Sequence, residues 1–424
     1  MDHFIYRHGQ LYCENVAVEE IVAQVGTPAY IYSLATLQTH YQRIAAAFAP
    51  LHPLICYSVK SCGNLAILAA LRACGSGFDV VSGGELFRAS QAGADPSKIV
   101  FAGVGKTDQE INEALDAGIG WFNIESEAEF WNLDRLAEKK FVHARAALRV
   151  NPDVISHGTH AKTMTGKKET KFGVDIDRAE EFYVQASSAK YARLNALHLH
   201  IGSPIKTAQP YVDAISKALH LIQRLKSRGI IIDTIDIGGG FAAFYEGNEA
   251  PPAETYAAAI VPLLQNTGLK VLLEPGRSIS CNAGILVSRV QYVKQGGRRK
   301  FIIVDAAMND LIRPTLYESY HFIWPTASTH EPASRLSSLR TPDDELVDVV
   351  GPICESGDYF AKDRYLPALR RGDLLALFSA GAYGFAMSSQ YNARPRAVEI
   401  LVDGDNWHII RKRETYEDLI HGER

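Results

Sequence analysis

Short apolar segments alternate with amphipathic segments from residue 53 to about residue 280. The apolar segments have the length of buried strands, and the segments between them have the period of helices that cover one face of a sheet. Eight such units, nearly all with a polar or glycine-rich strand end, favour a closed parallel (β/α)8 TIM barrel over an open doubly wound sheet. The predicted barrel strands are Pro53–Lys60, Gly77–Ser82, Lys98–Gly103, Trp121–Ser126, Ala144–Asn151, Leu194–Gly202, Ile231–Gly238 and Lys270–Pro275.

The pattern changes after residue 281, where strand-like segments are joined by glycine-containing turns. These segments are Ala283–Lys294, Lys300–Asp305, Glu345–Val350, Asp373–Phe378, Ala397–Val402 and Trp407–Arg413. The first 33 residues carry two more strand-like pieces, Phe4–Tyr6 and Ala29–Tyr32, before a helical pattern begins near residue 34. We therefore predict an α/β protein with a barrel at residues 34–280 and a mostly β domain built from residues 1–33 and 281–424.

Composition narrows the class of protein. The chain has 424 residues, 47% of them hydrophobic, which is enough to form two hydrophobic cores. Its formal net charge of −4 does not suggest a nucleic-acid or membrane-surface partner. The N-terminal residues lack the basic-then-apolar order of a signal peptide, and no apolar stretch is long enough to span a bilayer. Six scattered cysteines without a Cys-x-x-Cys motif indicate neither a zinc knuckle nor a disulfide framework. We expect a cytoplasmic protein.

Lys60 is the first candidate for chemistry, because it ends the apolar segment Pro53–Lys60. A lysine at the inner end of a buried strand is costly unless its amine is used, and a Schiff base with a carbonyl cofactor is one such use. A solvated lysine at a strand end is the commoner explanation for an isolated case. The groups at the other strand ends favour the cofactor.

Two glycine-rich strand ends predict a phosphate site. Gly238-Gly239-Gly240 follows the seventh predicted strand, and Glu274-Pro275-Gly276-Arg277 ends the eighth. Glycines let the backbone N–H groups approach an anion, and TIM barrels often hold phosphate at these two positions. Glu274 would then suit a pyridine nitrogen, which a carboxylate keeps protonated. A structural ion pair is the alternative role for Glu274.

The sixth strand places two histidines on one face. In Leu197-His198-Leu199-His200 the period of two turns both imidazoles toward the barrel interior and both leucines outward. His200 would stack on a flat cofactor ring, whereas His198 reads as a core histidine with satisfied hydrogen bonds. No third and fourth ligands stand at fitting spacing, so we predict no metal site.

Two further clusters lie beyond the barrel. Cys354 and Glu355 occur in the glycine-bounded segment Gly351–Asp358, where a thiol stands beside acids, although a cysteine is often only a small buried hydrophobe. Arg313 and Tyr317 are four residues apart and share a face if the segment is helical, which suits a carboxylate ligand or a plain surface contact. The segment Ser156–Lys171 is either a mobile lid or a solvated loop.

Six motifs occur in a fixed order along the chain: Gly77–Glu85, His198–Ser203, Gly238–Gly240, Glu274–Arg277, Gly351–Asp358 and Ala380–Gly384. With Tyr57-Ser58-Val59-Lys60 they resemble the diaminopimelate decarboxylases, pyridoxal-phosphate-dependent enzymes built on an alanine-racemase-like barrel and a β domain. The resemblance covers essentially the whole chain. One departure is Ser61-Cys62, where many relatives have Ala-Asn, and it affects only the packing beside Lys60.

The resemblance implies a role for each of these residues. Lys60 would bind pyridoxal 5'-phosphate as a Schiff base, His200 would stack on its ring, Glu274 would meet its pyridine nitrogen, and Cys354 would donate a proton. The phosphate end would be surrounded by Ser203, Gly238, Gly239, Gly240, Gly276, Arg277 and Tyr383. Substrate contacts would come from Arg277, Arg313, Tyr317, Glu355 and Tyr383. A homodimer is also implied, with shared active sites and the cysteine loop supplied by the second subunit.

The expected substrate is a small amino acid, meso-2,6-diaminopimelate, converted to L-lysine and CO2 in the last step of lysine biosynthesis. Arg313 and Arg277 suit a distal carboxylate and Glu355 suits a distal ammonium, whereas an arginine pair would repel the distal ammonium of ornithine. Carboxynorspermidine remains open as a substrate, and so does a catalytically silent relative. An amino-acid racemase is disfavoured because it would use a tyrosine base where this chain has the cysteine loop.

Overall fold

The computed structural model describes residues 2–154, 171–247, 250–329, 331–332 and 334–423. The predicted lid at Ser156–Lys171 therefore lies outside the described residues, apart from Lys171. The chain divides into two compact units: the β unit (residues 1–39, 243–250 and 279–424) and the barrel unit (residues 40–242 and 251–278). The functional boundaries predicted at residues 34 and 281 stay a prediction.

The N-terminal part of the β unit begins with a small antiparallel sheet of β1 (Phe4–Arg7), β2 (Gln10–Cys13) and β3 (Val16–Ala17). Helix α1 (Val18–Val25), strand β4 (Ala29–Ser33) and helix α2 (Leu34–Ala47) follow. The Glu14 carboxylate accepts hydrogen bonds from the Ser33 hydroxyl and the Ala35 N–H, 2.7 and 2.9 Å away. It satisfies an N–H of the first turn of α2 that has no partner within the helix.

The barrel unit contains eight parallel strands that close on themselves, because β8 pairs with β9 and β13 pairs with β5. A ninth strand, the two-residue β10, pairs in parallel with the end of β9. The strands are β5 (Leu54–Ser58), β6 (Gly77–Val80), β7 (Ile99–Phe101), β8 (Trp121–Ile124), β9 (Ala144–Asn151), β10 (Val174–Asp175), β11 (Ala192–His198), β12 (Thr234–Asp236) and β13 (Lys270–Leu273). The helices are α3 (Leu65–Ala73), α4 (Gly83–Gln91), α5 (Asp108–Ala117), α6 (Glu127–Lys140), α7 (Ile176–Ala186), α8 (Gln209–Ser227) and α9 (Ala253–Leu264).

Local sequence explains where several barrel helices begin. Asn64, Ser82, Thr107 and Ser126 each precede a helix (α3 to α6) and accept a hydrogen bond from a backbone N–H of its first turn. Short polar side chains at this position satisfy N–H groups that the helix leaves unpaired. The strand-to-helix turns are therefore sharply defined, which fixes the strand ends where a TIM barrel carries its site.

The barrel interior is apolar in its middle and polar at one end. A buried cluster of small and large side chains from six strands fills the middle: Cys56, Val100, Trp121, Ala147, Ala196 and Leu272. Buried polar side chains lie at or next to the carboxyl ends of the strands: Asp79, Asn123, His198, Asp236 and Glu274. Because buried polar groups are costly without a partner, this end of the barrel is the expected location of a functional site.

The C-terminal part of the β unit is dominated by a sheet in the order β18-β17-β15-β14-β4-β20-β21, with β19 pairing with β14 and β16. Its strands are β14 (Gly284–Gly296), β15 (Arg299–Val304), β16 (Ile323–Pro325), β17 (Glu345–Val350), β18 (Tyr359–Leu366), β19 (Leu374–Leu377), β20 (Val398–Asp403) and β21 (Asn406–Arg411). The helices of this part of the chain are α10 (Arg277–Ser280), α11 (Arg313–Tyr317) and α12 (Tyr416–Ile420). Short 3-10 turns lie at Ala49–Leu51, Val59–Ser61, Pro96–Lys98, Cys281–Ala283, Phe385–Met387 and Tyr391–Ala393.

The predicted fold class, a TIM barrel with a mostly β domain that includes the N-terminal strands, is confirmed. The sequence pattern did not predict the short strands β2, β3, β10 and β16, or β18, whose mixed polarity (YFAKDRYL) hides its alternation. The predicted sixth strand, Leu194–Gly202, was also placed too late, since β11 ends at His198. Across the described ranges, no helix has the length and apolar character needed to cross a membrane.

Candidate active site

Lys60 lies at the carboxyl end of β5 in the barrel unit, paired with a buried carboxylate. Strand β5 ends at Ser58, so the prediction that the strand includes Lys60 was wrong. Lys60 lies in the 3-10 turn Val59–Ser61 that follows the strand. The parallel register sets Ser58 beside Asp79 of β6. The Lys60 Nζ donates to Asp79 Oδ2 at 2.9 Å, and the Ser58 hydroxyl donates to the same oxygen.

The electrostatics around Asp79 are dominated by burial. Burial, followed by the nearby charge of Glu274, raises the pKa of Asp79, while Lys60 and the Ser58 hydroxyl pull it back down. Asp79 has no exposed surface, whereas the Lys60 side chain is 34% exposed. The lysine amine is therefore held at a defined point by a carboxylate and remains reachable from outside.

Glu274 is held in a buried network next to the end of β13. The Asn123 amide donates to Glu274 Oε1 at 2.9 Å, and His198 Nε2 lies 3.3 Å from Glu274 Oε2. Burial alone would raise the Glu274 pKa, but His198, Lys60 and a hydrogen bond with Asp236 outweigh it and hold the pKa well below its usual range. Burial and the Glu274 charge raise the pKa of Asp236 well above normal. The pair therefore shares one negative charge, carried by Glu274.

The two predicted histidines do lie close together, with ring centroids 6.5 Å apart. The prediction that His198 is a satisfied core histidine was wrong, because neither of its ring nitrogens makes a well-aligned hydrogen bond with a described residue. Burial, then Arg149 and Lys60, lowers the pKa of His200 well below 6.5, so this imidazole is neutral near pH 7.

Glu274 is a third candidate metal ligand beside the two histidines, and its distance from them in the sequence hid it from the sequence pattern. Ligand atoms of His198, His200 and Glu274 lie within 4.8 Å of one another, which is compatible with a metal ion. Glu274 thus joins the two histidines in space, and no fourth ligand is grouped with them among the described residues. The absence of a metal stays a prediction.

The glycine segment after β12 forms a closely packed cradle. A Cβ on Gly238 would lie 2.3 Å from the Leu199 carbonyl oxygen, one on Gly239 would lie 2.0 Å from that of Glu274, and one on Gly240 would lie 2.4 Å from that of Gly202. Gly238 and Gly240 also have φ values of 70° and 99°, in the region that favours glycine. Any other residue here would push neighbouring backbone apart.

Two more predicted phosphate ligands are brought together beside the cradle. Arg277 is buried, and its Nε donates to the Ser203 hydroxyl at 3.0 Å. A Cβ on Gly276 would lie 2.9 Å from Ser58 Cβ, so the backbone passes directly against the β5 end that precedes Lys60. Within the barrel unit the predicted residues thus gather at one end: Lys60, His200, Ser203, Gly238, Gly239, Gly240, Glu274, Gly276 and Arg277.

The β unit gathers a second group of predicted residues around Arg313. This arginine begins α11 and is buried, and its guanidinium carbon lies 5.8 Å from the Tyr317 ring and 6.0 Å from the Tyr383 ring. Tyr383 has φ 56°, unusual for a tyrosine, and is followed by Gly384, where a Cβ would lie 2.2 Å from the Ala380 carbonyl oxygen. The backbone at this point therefore requires glycine at position 384.

The loop carrying Cys354 is built around Asp358. The two oxygens of this buried carboxylate accept from the Met308 and Ile353 N–H groups, each at 2.7 Å. Burial raises the pKa of Asp358. Cys354 and Glu355 are exposed at the tip of the loop, and the Tyr391 hydroxyl donates to Glu355 at 2.7 Å.

Several residues of this site escaped the sequence analysis. In the barrel unit these are Asp79, Asn123 and Asp236, and their signal was available, because each is a polar residue inside an otherwise apolar strand. In the β unit they are Tyr245 and Tyr391, which lie in irregular segments without a periodic pattern. Tyr245 lies 5.0 Å from the Arg313 guanidinium carbon.

These residues fit pyridoxal phosphate. The cradle brings backbone close around a space that a side chain cannot occupy, Arg277 adds a cation, and Glu274 is an ionised acceptor in a dry setting. A carbonyl cofactor also needs an accessible amine, which Lys60 offers. The donor set thus matches a phosphate, a ring nitrogen and an aldehyde.

The family model for the pyridoxal-binding domain of pyridoxal-dependent decarboxylases matches residues 34–281. Over its full length the chain is 46% identical to the diaminopimelate decarboxylase of Pseudomonas aeruginosa, covering 99% of that protein.

Two solved structures share the whole fold. The Helicobacter pylori diaminopimelate decarboxylase in complex with L-lysine is 38% identical with a TM-score of 0.88, and the match covers 96% of this chain and 98% of that one. The M. jannaschii diaminopimelate decarboxylase, also in complex with L-lysine, is 33% identical with a TM-score of 0.92, and the match covers 100% and 98%. These comparisons confirm the resemblance seen in the sequence motifs.

Proposed function

Because this chain belongs to the pyridoxal-dependent decarboxylases, and among them to the diaminopimelate decarboxylase family, we propose that it converts meso-2,6-diaminopimelate to L-lysine and CO2. The observation that carries the proposal is the grouping of Lys60, Asp79 and Glu274 at the mouth of the barrel. Full-length similarity to named diaminopimelate decarboxylases supports the choice of substrate.

Pyridoxal phosphate, when bound, supplies a carbonyl for amine exchange and a ring that withdraws electrons from the bond to the departing carboxylate. Lys60 would hold the carbonyl, and the cradle with Ser203 and Arg277 would hold the phosphate. The ionised Glu274 would keep a proton on the ring nitrogen. The neutral His200 would lie against the ring without adding a competing positive charge.

Asp79 gives Lys60 a counter-charge whenever its amine is free. The 2.9 Å contact holds the amine near one position, where it would be available to a bound cofactor. Asp79 is thus proposed to orient Lys60.

Residues of the β unit, with Arg277, would recognise the end of the substrate that does not react. We assign the distal carboxylate to Arg313 with Arg277, the distal ammonium to Glu355, and further contacts to Tyr317 and Tyr383. A substrate with only a distal ammonium would meet repulsion from the arginines. This recognition favours diaminopimelate over ornithine.

Cys354 is proposed to donate its thiol proton to the carbon that has lost CO2, after which the thiolate takes a proton from water. On a single chain Cys354 and Glu355 are exposed, which suits a loop offered to a second copy. We therefore propose a homodimer in which each subunit supplies this loop to the active site of its partner. The cytoplasmic location stays a prediction.

The test is CO2 release by the pyridoxal-phosphate-loaded protein. The substrates are meso-diaminopimelate, the LL isomer, ornithine and carboxynorspermidine, and L-lysine is identified among the products. We expect CO2 release from the meso isomer alone, with one L-lysine formed for each CO2. Release from carboxynorspermidine or ornithine instead would contradict the assigned substrate, and no release from any of the four would favour the silent relative.

A further inference from the structure

Arg313 is a buried cation that forms no ion pair with the residues that the structure describes. Only 6% of its surface is exposed, and its Nε makes no hydrogen bond within the described part of the chain. One guanidinium nitrogen donates to the Ser319 hydroxyl at 3.2 Å. Among the described residues no aspartate or glutamate forms an ion pair with Arg313. Burying a cation this way costs several kcal/mol unless other groups compensate.

Three tyrosine rings replace the missing carboxylate. The Arg313 guanidinium carbon lies 5.0 Å from the centre of the Tyr245 ring, 5.8 Å from that of Tyr317 and 6.0 Å from that of Tyr383. The electron-rich faces of aromatic rings attract a guanidinium within about 6 Å. Unlike a carboxylate, they leave the charge of the guanidinium available to an incoming anion.

Tyr245 is the closest of the three rings, and it is itself held in place. Its ring meets the fully buried His321 ring edge to face, with centroids 5.4 Å apart and an interplanar angle of 87°. His321 Nδ1 lies 2.9 Å from the Phe378 carbonyl oxygen, which fixes the imidazole. Tyr245 also packs against Ala243 and Ala382. The ring facing Arg313 therefore has little freedom to move.

We propose that Tyr245 is a positioning residue that selects substrates with a distal carboxylate. It holds the Arg313 guanidinium by an aromatic face, so the guanidinium keeps its direction and lacks an internal counter-ion that a substrate carboxylate would have to displace. The inference rests on the proposed function for the identity of the substrate. It goes beyond that function by assigning specificity to a residue that does not bind the carboxylate itself.

The test compares two ligands that differ by one carboxylate. L-lysine keeps the carboxylate of the unreacted end, and 1,5-diaminopentane is the same molecule without it. Their dissociation constants are measured by spectral titration of the pyridoxal-phosphate-loaded protein, for wild type, Tyr245→Ala, Tyr245→Leu and Tyr245→Phe. The leucine variant keeps most of the side-chain volume without an aromatic face, so it remains informative if the alanine variant does not fold.

Tyr245→Leu should weaken L-lysine about tenfold, which lies between the values of an exposed and a desolvated cation–π contact, and leave 1,5-diaminopentane within about twofold. Tyr245→Phe keeps the ring face and should restore wild-type affinity for both ligands. In turnover, Tyr245→Leu should raise KM for meso-diaminopimelate by a similar factor and barely change kcat, because the distal contact is the same in ground and transition states. A purely structural role would lower kcat or weaken both ligands together.

Tyr292 provides the matched control, since Arg371 lies 5.2 Å from its exposed ring in the same unit. Tyr292→Ala should change neither ligand. Equal losses for the two ligands in Tyr245→Leu, or an unchanged L-lysine affinity, would overturn the inference. Wild-type protein that releases no CO2 from meso-diaminopimelate would instead overturn the proposed function, and the ligand pair would still report on Tyr245.

Discussion

Lys60 and Arg313 are the cations on which the proposed chemistry depends, and their surroundings differ. Lys60 in the barrel unit contacts the carboxylate of Asp79 at 2.9 Å, with Glu274 and Asp236 in the same buried network. Arg313 in the β unit is surrounded by three tyrosine rings and forms no ion pair within the described ranges. One cation thus has internal partners, whereas the other lacks an anion.

The difference matches two tasks. A lysine that exchanges a covalent bond needs a partner for the states in which its amine is free, and Asp79 is that partner. An arginine that recognises a carboxylate binds it best when no internal carboxylate must be displaced first. We infer that the surroundings of Lys60 suit covalent exchange and that the surroundings of Arg313 suit recognition of a substrate carboxylate.

The largest effect is expected when the exchanging amine is removed. Lys60→Ala should lower turnover of meso-diaminopimelate by at least about a thousandfold, because no other group can hold the cofactor carbonyl in its place. CO2 release measures the loss. Lys140→Ala, which removes a lysine paired with Asp116 on the surface, should retain full activity. Near-normal activity in Lys60→Ala would show that Lys60 does not hold the cofactor carbonyl.

The next effect concerns the thiol of the β unit. Cys354→Ala should reduce kcat by roughly a hundredfold to a thousandfold, as expected for the loss of a general acid, with little change in KM. Steady-state kinetics with meso-diaminopimelate separate the two constants. Ser356→Ala changes an exposed neighbour in the same loop and should leave both unchanged. A lower affinity without a change in kcat would make Cys354 a binding residue.

A smaller loss is expected at Arg313. Arg313→Ala should weaken substrate binding by roughly 1.5–3 kcal/mol, the value of a charge-assisted hydrogen bond, and appear mainly in KM. Arg313→Lys should recover only part of this loss, because an ammonium lacks the bidentate geometry. The control is Arg7→Ala, since Arg7 lies over Tyr12 at 5.0 Å on the surface. If Arg313→Ala left KM unchanged, the carboxylate assignment would be wrong.

The smallest expected effect concerns the pKa of Asp310, which lies shortly before Arg313 in the sequence. Burial raises the pKa of Asp310 to about 7, from 3.8. Between these values the folded protein keeps a proton that the unfolded chain has released, so the free energy of unfolding falls as pH rises. Asp310→Asn removes this dependence, and its melting temperature should fall less than that of wild type between about pH 5 and about pH 8.

Asp95→Asn is the control for the pH experiment. Hydrogen bonds from Ser97 lower the pKa of this exposed carboxyl, so it is ionised in both states throughout the range and should not change the slope. If the melting temperatures of wild type and Asp310→Asn fell equally with pH, the assignment of a raised pKa to Asp310 would be wrong.

The barrel was predictable because its strands repeat one pattern. Each buried strand is followed by a polar or glycine-rich end and a helix, and the period identifies the unit even where an end is misplaced, as it was at His198. The β unit was harder to predict. Strand β18 alternates poorly and was not predicted, whereas β4 (Ala29–Ser33), which joins this sheet from the other end of the chain, was predicted at Ala29–Tyr32.

The site divides in the same way. Lys60, Glu274 and the glycines stand at strand ends, where position alone suggests a role. Asp79 and Asp236 were overlooked although a carboxylate inside an apolar strand is itself a signal. Tyr245 could not be found, because its partner Arg313 is distant in sequence and the contact exists only after folding.

The most direct test of the central claim locates the cofactor on the chain. The protein loaded with pyridoxal phosphate is reduced with borohydride and digested, and the pyridoxyl group is mapped by mass spectrometry. We expect a single modified residue, Lys60, at one group per chain, with L-lysine and meso-diaminopimelate each protecting it. Modification at the buried Lys106 or at any other lysine, or no stable label at all, would contradict the account.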